Sequence, residues 1–154
     1  MKSYKNLKAE SVSLDKVKDY WKGKNIPQLW YSDIDPGSIS FYNNIRKQRF
    51  ELYYPYLKDS AEFKYHEGEK ILEVGVGMGT DLAEYARYGA KVYGIDLGAD
   101  QIQLTKNMFD RLGFSYEELK VASADKLPYE SNYFDFIYSF GVIHHTPNIN
   151  EAVN

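Results

Sequence analysis

The chain contains no cysteine among its 154 residues, so it forms no disulfide bond and uses no thiol chemistry. That absence is typical of a reducing compartment. No apolar region follows the basic start of the chain, which indicates no signal peptide and predicts a cytoplasmic location. No apolar stretch approaches the roughly 18 residues that a membrane-spanning helix needs. With 44% hydrophobic and 27% charged residues, the composition predicts a folded domain with a single core.

An excess of positive charge is also lacking. The formal net charge is −3, from 19 basic and 22 acidic residues. A protein that binds nucleic acid usually needs a basic groove to offset the phosphates. We therefore expect no nucleic-acid partner, and we interpret the lysines near the N-terminus as a solvated face.

The most informative segment is a glycine-rich turn after a short apolar run. Residues 70–82 read KILEVGVGMGTDL, which predicts a strand, a turn and the start of a helix. Glycine lets the backbone turn tightly and approach a ligand, where a Cβ would obstruct it. The next apolar run ends at Asp96, a carboxylate that can accept hydrogen bonds from both hydroxyls of a ribose. The pattern predicts a βαβ unit that binds an adenosine-like ligand.

The spacing of the glycines separates two classes of ligand. A dinucleotide fingerprint read from Gly75 needs a third glycine at position 80, where the chain has Thr80; Gly79 comes one residue early. Glu73, at the end of the strand, would repel a pyrophosphate but suits a ligand that carries an ammonium group. The Walker pattern is also absent, because no Gly-Lys-Ser/Thr follows.

The run E-x-G-x-G-x-G resembles motif I of the class I S-adenosylmethionine-dependent methyltransferases. Residues 119–129, LKVASADKLPY, and residues 127–148, LPYESNYFDFIYSFGVIHHTPN, resemble the family's third and fourth strands with their loops. Residues 127–148 are close to the pattern of the ubiquinone and menaquinone biosynthesis methyltransferases, that is, of the methyltransferase type 11 domain. The resemblance covers residues 69–154. It implies S-adenosylmethionine as the cofactor and a small-molecule methyl acceptor.

The resemblance also implies roles for individual residues. Asp96 would hold the ribose hydroxyls, with Leu97 against the adenine, and Asp125 would take the adenine amino group. Gly75 and Gly77 would pass close to the methionine part. The full set expected to bind the cofactor is Glu73, Gly75, Val76, Gly77, Gly79, Asp96, Leu97, Ala124, Asp125, Ser139 and Phe140.

Two adjacent histidines, His144 and His145, are weak candidates for a catalytic base. A sulfonium methyl group is already strongly electrophilic, so attack mainly needs a nucleophile held about 3 Å away and aligned. A base helps only an acceptor that is not already nucleophilic. The alternative is that one histidine packs against the cofactor or caps the next helix. His66 is remote in sequence and no metal-ligand spacing is present, so we predict no metal site.

The alternation of strand and helix patterns predicts an α/β fold, a Rossmann-like doubly wound parallel sheet. Strands are expected at Ile71, Val92, Leu119 and Phe134, and helices over about 81–88 and 100–112. The family's strand order, 3-2-1-4, would bring all four carboxyl ends to one crevice. Complete family members have seven strands, so we expect a partial fold, truncated at its C-terminus, that could be inactive. We interpret Asp135, at the start of the fourth strand, as structural.

The first 65 residues are dense in aromatic side chains, and we interpret 1–65 as an N-terminal helical flank or lid and 66–154 as the cofactor-binding domain. Helices are expected over 14–21 and about 40–53, ended by Pro55, with turns near 25–28 and 32–38. The aromatics predict either an apolar acceptor site over the crevice or a flank that buries them as core. The positions of Trp30, Tyr31 and Tyr42 distinguish these alternatives.

Three functions remain open at this point. The first is methyl transfer to a small acceptor, apolar or aromatic in character. The second is an NAD(P)-dependent oxidoreductase, which Thr80 and Glu73 disfavour. The third is a non-catalytic, methyltransferase-like binding module.

Overall fold

A four-stranded parallel sheet forms the centre of the protein in the computed structural model, which describes residues 13–22, 34–35 and 37–153. Its strands are β1 Lys70–Val74, β2 Lys91–Asp96, β3 Glu118–Val121 and β4 Phe136–Tyr138. The order is β3-β2-β1-β4. The predicted α/β class and strand order are confirmed. The turn predicted at 25–28 lies outside the described residues, as do Trp30 and Tyr31.

Helices connect the first three strands. Neighbouring parallel strands need crossover connections, which are supplied here by α4 Thr80–Arg87 and α5 Ala99–Leu112. Both helices lie within one residue of their predicted bounds. In register, Leu72 of β1 pairs with Tyr93 of β2 and Ile137 of β4. All four carboxyl ends therefore meet at one edge of the sheet.

The two faces of the sheet are covered differently. Helices α4 and α5 and the flank cover one face. The other is covered by the connection 122–135, which forms no helix, and by Ile143 and Ala152. Tyr93 of β2 contacts Tyr133 and Phe134 there, with ring centroids 5.7 and 5.1 Å apart. Asp135 accepts a hydrogen bond from the Lys70 backbone N–H at 2.8 Å, which joins the starts of β4 and β1 and fits its predicted structural role.

The flank consists of short helical elements. They are α1 Leu14–Trp21, α2 Ile39–Lys47, a π-helix Gln48–Tyr53, α3 Leu57–Ser60 and a 3₁₀ turn Phe63–Tyr65. The predicted helix over about 40–53 is correct in extent but changes type, because the Tyr54 N–H donates to the Arg49 carbonyl at 2.8 Å. π-Helical turns are frequent at functional sites. After β4 follow a 3₁₀ turn, Ile143–His145, and α6, Ile149–Ala152.

The flank and the sheet share one hydrophobic core. Phe41, Phe50 and Phe63 are each at most 3% exposed and belong to the same cluster as Ile71 and Val92. These aromatics are core, as one of the two alternatives predicted. The functional division at residue 65 stays a prediction. No helix within the described ranges is both long and apolar enough to cross a membrane.

Candidate active site

The three glycines of the turn after β1 have different neighbours. All have positive φ, at 84° for Gly75, 53° for Gly77 and 77° for Gly79, a region that favours glycine. A Cβ on Gly75 would lie 2.4 Å from Val142 Cγ2, and one on Gly79 would lie 2.5 Å from Thr105 Cγ2. At Gly77 nothing described lies within 4 Å of that direction. The absence of a side chain at Gly75 and Gly79 thus makes room for Val142 and Thr105. At Gly77 it leaves the space beside the backbone open.

A cavity of about 450 Å³ opens at the carboxyl edge of the sheet. Its volume is within the roughly 300–1,000 Å³ typical of ligand sites. Its walls come from the glycine turn, the ends of β2 and β3, the loop after β4, and the flank. Nine predicted site residues line it: Glu73, Gly75, Val76, Gly77, Asp96, Leu97, Ala124, Phe140 and His145.

The other four predicted residues lie just outside the described lining. Gly79 packs under Thr105, and His144 precedes the lining residue His145. Ser139 donates a hydrogen bond to the Val74 carbonyl at 3.0 Å, which joins β4 to β1. Asp125 follows the lining residue Ala124, and its Oδ1 is buried with no partner in the described structure. The cofactor roles expected of these residues stay predictions.

Asp96 connects the tip of β2 to the glycine turn. Its Oδ2 accepts the Gly77 N–H at 3.0 Å, and its Oδ1 accepts the Gly98 N–H at 2.9 Å. Burial raises the pKa of Asp96, while these two donors act in the opposite direction. A carboxylate has about four acceptor positions, so Asp96 can still accept from the hydroxyls of a ribose.

Glu73 is a buried carboxyl group in the cavity wall. It is 5% exposed, and its Oε2 has no hydrogen-bond partner among the residues described. Burial and the neighbouring Asp81 raise the pKa of Glu73 well above its usual value, and Arg49 acts in the opposite direction. Glu73 therefore favours the neutral form until a positive charge lies beside it.

An ion pair that the motif does not predict joins the flank to this wall. Arg49, on the π-helix, donates through Nε and Nη2 to the two carboxylate oxygens of Asp81. The Tyr138 hydroxyl donates to Asp81 Oδ2 at 2.8 Å. The Arg49 guanidinium lies 4.9 Å from the Phe140 ring centroid and 5.5 Å from that of Tyr54. No local pattern indicates this pair, because its partners lie 32 positions apart.

Part of the cavity lining is aromatic. Trp21, Tyr53 and Tyr54 of the flank line it with Phe140 and His145. The ring of His145 lies 5.3 Å from that of Trp21, and Tyr54 lies 5.1 Å from Phe140. The flank thus contributes aromatic side chains to the crevice, whereas their role as an acceptor site or lid stays a prediction.

Two expectations for the aromatic lining need refinement. Tyr42 is 4% exposed and packs in the core instead of lining the cavity, so the flank residues at the crevice differ from the one predicted. Of the two histidines, only His145 lines the described cavity. Burial and the neighbouring His144 lower the pKa of His145, which favours its neutral form.

The unpaired polar atoms of the cavity fit S-adenosylmethionine. Gln48 Oε1, Glu73 Oε2 and Gln101 Oε1 are buried, have no partner among the described residues, and belong to lining residues. Each unpaired acceptor costs about 1–3 kcal/mol. An ammonium group and two ribose hydroxyls are donors that could pair them. No group of three or more acidic or histidine side chains in the described ranges could hold a metal ion.

Comparisons with known proteins agree with this geometry. Residues 72–154, more than half of the chain, match the methyltransferase domain family. A ubiquinone biosynthesis O-methyltransferase from Rhodopseudomonas palustris is 30% identical over 143 residues, 92% of this chain and 53% of that protein. Sterol 4-C-methyltransferase strm-1 from Caenorhabditis elegans is 27% identical over 89 residues, 56% of this chain and 26% of that protein.

A solved structure shows the same relationship. The chain is similar to a SAM-dependent methyltransferase from Aquifex aeolicus, with 27% identity, a TM-score of 0.57, and coverage of 79% of this chain and 64% of that one. The chain therefore spans between about a quarter and about two thirds of these relatives. The match favours a methyltransferase over an NAD(P)-dependent oxidoreductase. Through its methyltransferase domain, the chain belongs to the class I S-adenosylmethionine-dependent methyltransferases.

Proposed function

We propose that this protein transfers a methyl group from S-adenosylmethionine to a small acceptor of apolar or aromatic character. The observation that carries the proposal is one cavity whose lining combines two chemically different sets of side chains. The polar set includes Glu73, Asp96 and Gln101, and the aromatic set includes Trp21 and Phe140. A ligand with hydroxyl and ammonium donors suits the polar set, and a flat apolar ring suits the aromatic set.

The polar set of lining side chains supplies recognition of the cofactor. Asp96 accepts hydrogen bonds from the ribose hydroxyls, and Leu97 contacts the adenine. Glu73 favours the neutral form in the empty site and becomes a carboxylate when an ammonium group lies beside it. Gly77, whose Cβ direction is open, lets the ligand approach the backbone. The buried and unpaired Oε2 of Glu73 supports this arrangement.

The aromatic set of lining side chains positions the acceptor and excludes water. When bound, the cofactor supplies an electrophilic methyl group, so the main task of the protein is alignment. Rings such as Trp21, Tyr53 and Phe140 can stack on an apolar acceptor at low conformational cost. Sterol and ubiquinone appear in the names of the two relatives above, which supports a hydrophobic acceptor.

His145 is the candidate base for an acceptor that must lose a proton. It lines the cavity, and its lowered pKa keeps the imidazole able to accept a proton near neutral pH. His144 makes a matched control, because it lies beside His145 and outside the described lining. For a hydroxyl acceptor, H145Q should slow transfer about 10²-fold or more, and H144Q should have little effect. Equal losses would contradict a base at His145.

A binding experiment tests the cofactor assignment. Isothermal titration calorimetry of the chain should detect S-adenosylmethionine and S-adenosylhomocysteine but not NAD. Tight binding of NAD with no response to the other two ligands would overturn the proposal. Circular dichroism in the same buffer establishes that the chain is folded.

A transfer assay tests the acceptor class. The chain is incubated with methyl-tritiated S-adenosylmethionine and four acceptors: a sterol, a phenolic quinone precursor, a water-soluble primary amine and RNA. Label should appear in one of the two hydrophobic acceptors, and W21A should raise KM for that acceptor more than it weakens cofactor binding. Label in RNA or the amine alone would overturn the acceptor class and leave the cofactor assignment intact.

A further inference from the structure

Thr105 is a buried residue of α5 that no motif accounts for. It lies in the middle of the helix and is 0% exposed. A threonine hydroxyl inside a helix can donate to the carbonyl one turn earlier on the same helix. The Thr105 hydroxyl instead donates to the Gly77 carbonyl, 28 positions earlier in the chain, at 3.1 Å. The hydroxyl therefore connects α5 to the glycine turn.

The backbone of Gly77 is held on both sides by side chains from outside the turn. Its N–H donates to Asp96 Oδ2 at 3.0 Å, and its carbonyl accepts from Thr105. Gly77 lines the cavity with a φ of 53°, and nothing described lies within 4 Å of its Cβ direction. Glycine can adopt many backbone conformations. The two hydrogen bonds therefore stabilise the one conformation that borders the cavity.

Gly79 provides the space for this contact. A Cβ on Gly79 would lie 2.5 Å from Thr105 Cγ2 and 3.1 Å from Thr105 Oγ1. The absence of a side chain at Gly79 therefore lets Thr105 pack against the turn and reach the Gly77 carbonyl. Thr105 itself is not part of the described cavity lining, so its effect on a ligand passes through Gly77.

We propose that Thr105 is a positioning residue of the cofactor site, whose hydroxyl fixes the backbone of Gly77 in the orientation that S-adenosylmethionine meets. The inference rests on the proposed cofactor. A ligand that must first order a flexible backbone binds more weakly than one that meets a preorganised backbone. The two branches of the side chain have separable roles: the hydroxyl supports affinity and stability, whereas the methyl group supports stability alone.

The test compares two substitutions that each remove one branch of Thr105. Calorimetry measures the affinity of the wild type, T105V and T105S for S-adenosylhomocysteine. T105V keeps the shape and loses the hydroxyl, so it should bind roughly three- to tenfold more weakly, the usual effect of one hydrogen bond. T105S keeps the hydroxyl and should bind as the wild type does. Unchanged affinity in T105V, or an equal loss in T105S, would overturn the proposal.

Thermal unfolding separates positioning from stability. Without ligand, both variants should have a lower Tm than the wild type, because T105V loses a hydrogen bond and T105S loses a buried methyl group. Affinity should nevertheless fall only in T105V. If T105S matched T105V in both Tm and affinity, Thr105 would be structural.

Ile102 provides the matched packing control. It lies on the same helix, is 5% exposed and carries no hydroxyl. I102V removes one buried methyl group, so it should lower Tm and leave the affinity unchanged. A loss of affinity in I102V equal to that in T105V would show that affinity follows the packing of α5 and would overturn the proposal. If the wild type itself fails to bind, the proposed function fails first; if it binds and T105V binds equally well, this inference alone fails.

Discussion

The two walls of the cavity are held in place by different interactions. On the sheet side, backbone groups join the glycine turn to β2: the N–H groups of Gly75 and Val76 donate to the Ile95 carbonyl at 2.8 and 3.1 Å. On the flank side, the connection depends on side chains that are distant in sequence, both in the shared hydrophobic core and in the ion pair of Arg49 with Asp81. A backbone connection survives most substitutions, whereas a charge pair is lost with one residue. The flank wall is therefore the more vulnerable of the two.

The largest expected effect comes from breaking the flank wall with R49M. This variant leaves Asp81, which is 2% exposed, as a buried carboxylate without its cation. Removing one partner of a buried pair costs about 3–5 kcal/mol, a large part of the roughly 5–15 kcal/mol that stabilises a typical domain. Urea denaturation measures the loss in the free energy of unfolding.

Arg46 is the control for that variant. Its side chain is 36% exposed, and its partner Glu84 keeps Arg87 at 3.3 Å in its absence. R46M should therefore cost about 1 kcal/mol or less. The double variant R49M/D81L should recover much of the stability lost in R49M. Equal losses in R49M and R46M would contradict the idea that one buried pair holds the flank.

The sheet wall should control affinity more than stability, and D96A tests this. The variant removes the acceptor of the ribose hydroxyls and of the Gly77 and Gly98 N–H groups. The cost of about 1–3 kcal/mol corresponds to a roughly 5- to 150-fold loss of S-adenosylhomocysteine affinity in calorimetry. D110A, an exposed change on α5, is the control. Unchanged affinity in a folded D96A protein would refute the assignment of Asp96.

Glu73 makes the sheet wall sensitive to pH. Its folded pKa is raised well above the unfolded value of 4.5. Its contribution to stability is therefore complete below pH 4.5 and is lost as the pH rises through the folded pKa. The free energy of unfolding of the wild type should fall relative to that of E73Q across this window. Parallel pH profiles for the two proteins would contradict the burial of a neutral Glu73.

Ligand binding should reverse the preference of Glu73 for the neutral form. An ammonium group beside it favours the carboxylate, so binding should release up to about one proton, and affinity should rise at most tenfold per pH unit. Calorimetry in two buffers with different ionisation enthalpies measures that release. E73Q should show none of it.

The smallest effect concerns the support behind the glycine turn. The Thr105 hydroxyl donates to the Gly77 carbonyl at 3.1 Å, so T105V keeps the shape and loses one hydrogen bond, at about 1 kcal/mol. T146V makes the same chemical change at a hydroxyl that bonds locally, to the Ile143 carbonyl, and should cost less. Urea denaturation of both variants measures their losses in the free energy of unfolding. A larger loss in T146V than in T105V would contradict this prediction.

The sheet and the ligand-facing edge could be predicted because their signals are local. The alternation of apolar runs and helices, the glycine turn and Asp96 lie within a short stretch of chain, and the structure keeps them together. Gln101 was missed although a signal existed. It directly precedes Ile102 and lies one turn before Thr105, both on the buried stripe of α5, so the helical phase alone could have indicated that it is buried.

The flank could be predicted only in outline. Aromatic density indicated two alternatives. Phe41 and Phe50 are core, as one of them predicted; Tyr53 and Tyr54 line the crevice, and their role as an acceptor site stays a prediction. The change from α2 to a π-helix, on which Arg49 lies, has no marker in the local sequence.

By itself, the sequence determined the class of fold and the location of the cofactor-binding edge, and its resemblance to the family implied the order of the strands. The class and the edge follow from hydrophobic periodicity and from glycine positions, which act through residues close to one another along the chain. Only the tertiary structure decided which aromatics line the cavity, which histidine reaches it, and how Arg49 and Asp81 join the flank to the sheet. Those outcomes depend on contacts between residues far apart in sequence, and packing and the cost of burying an unpaired charge select them.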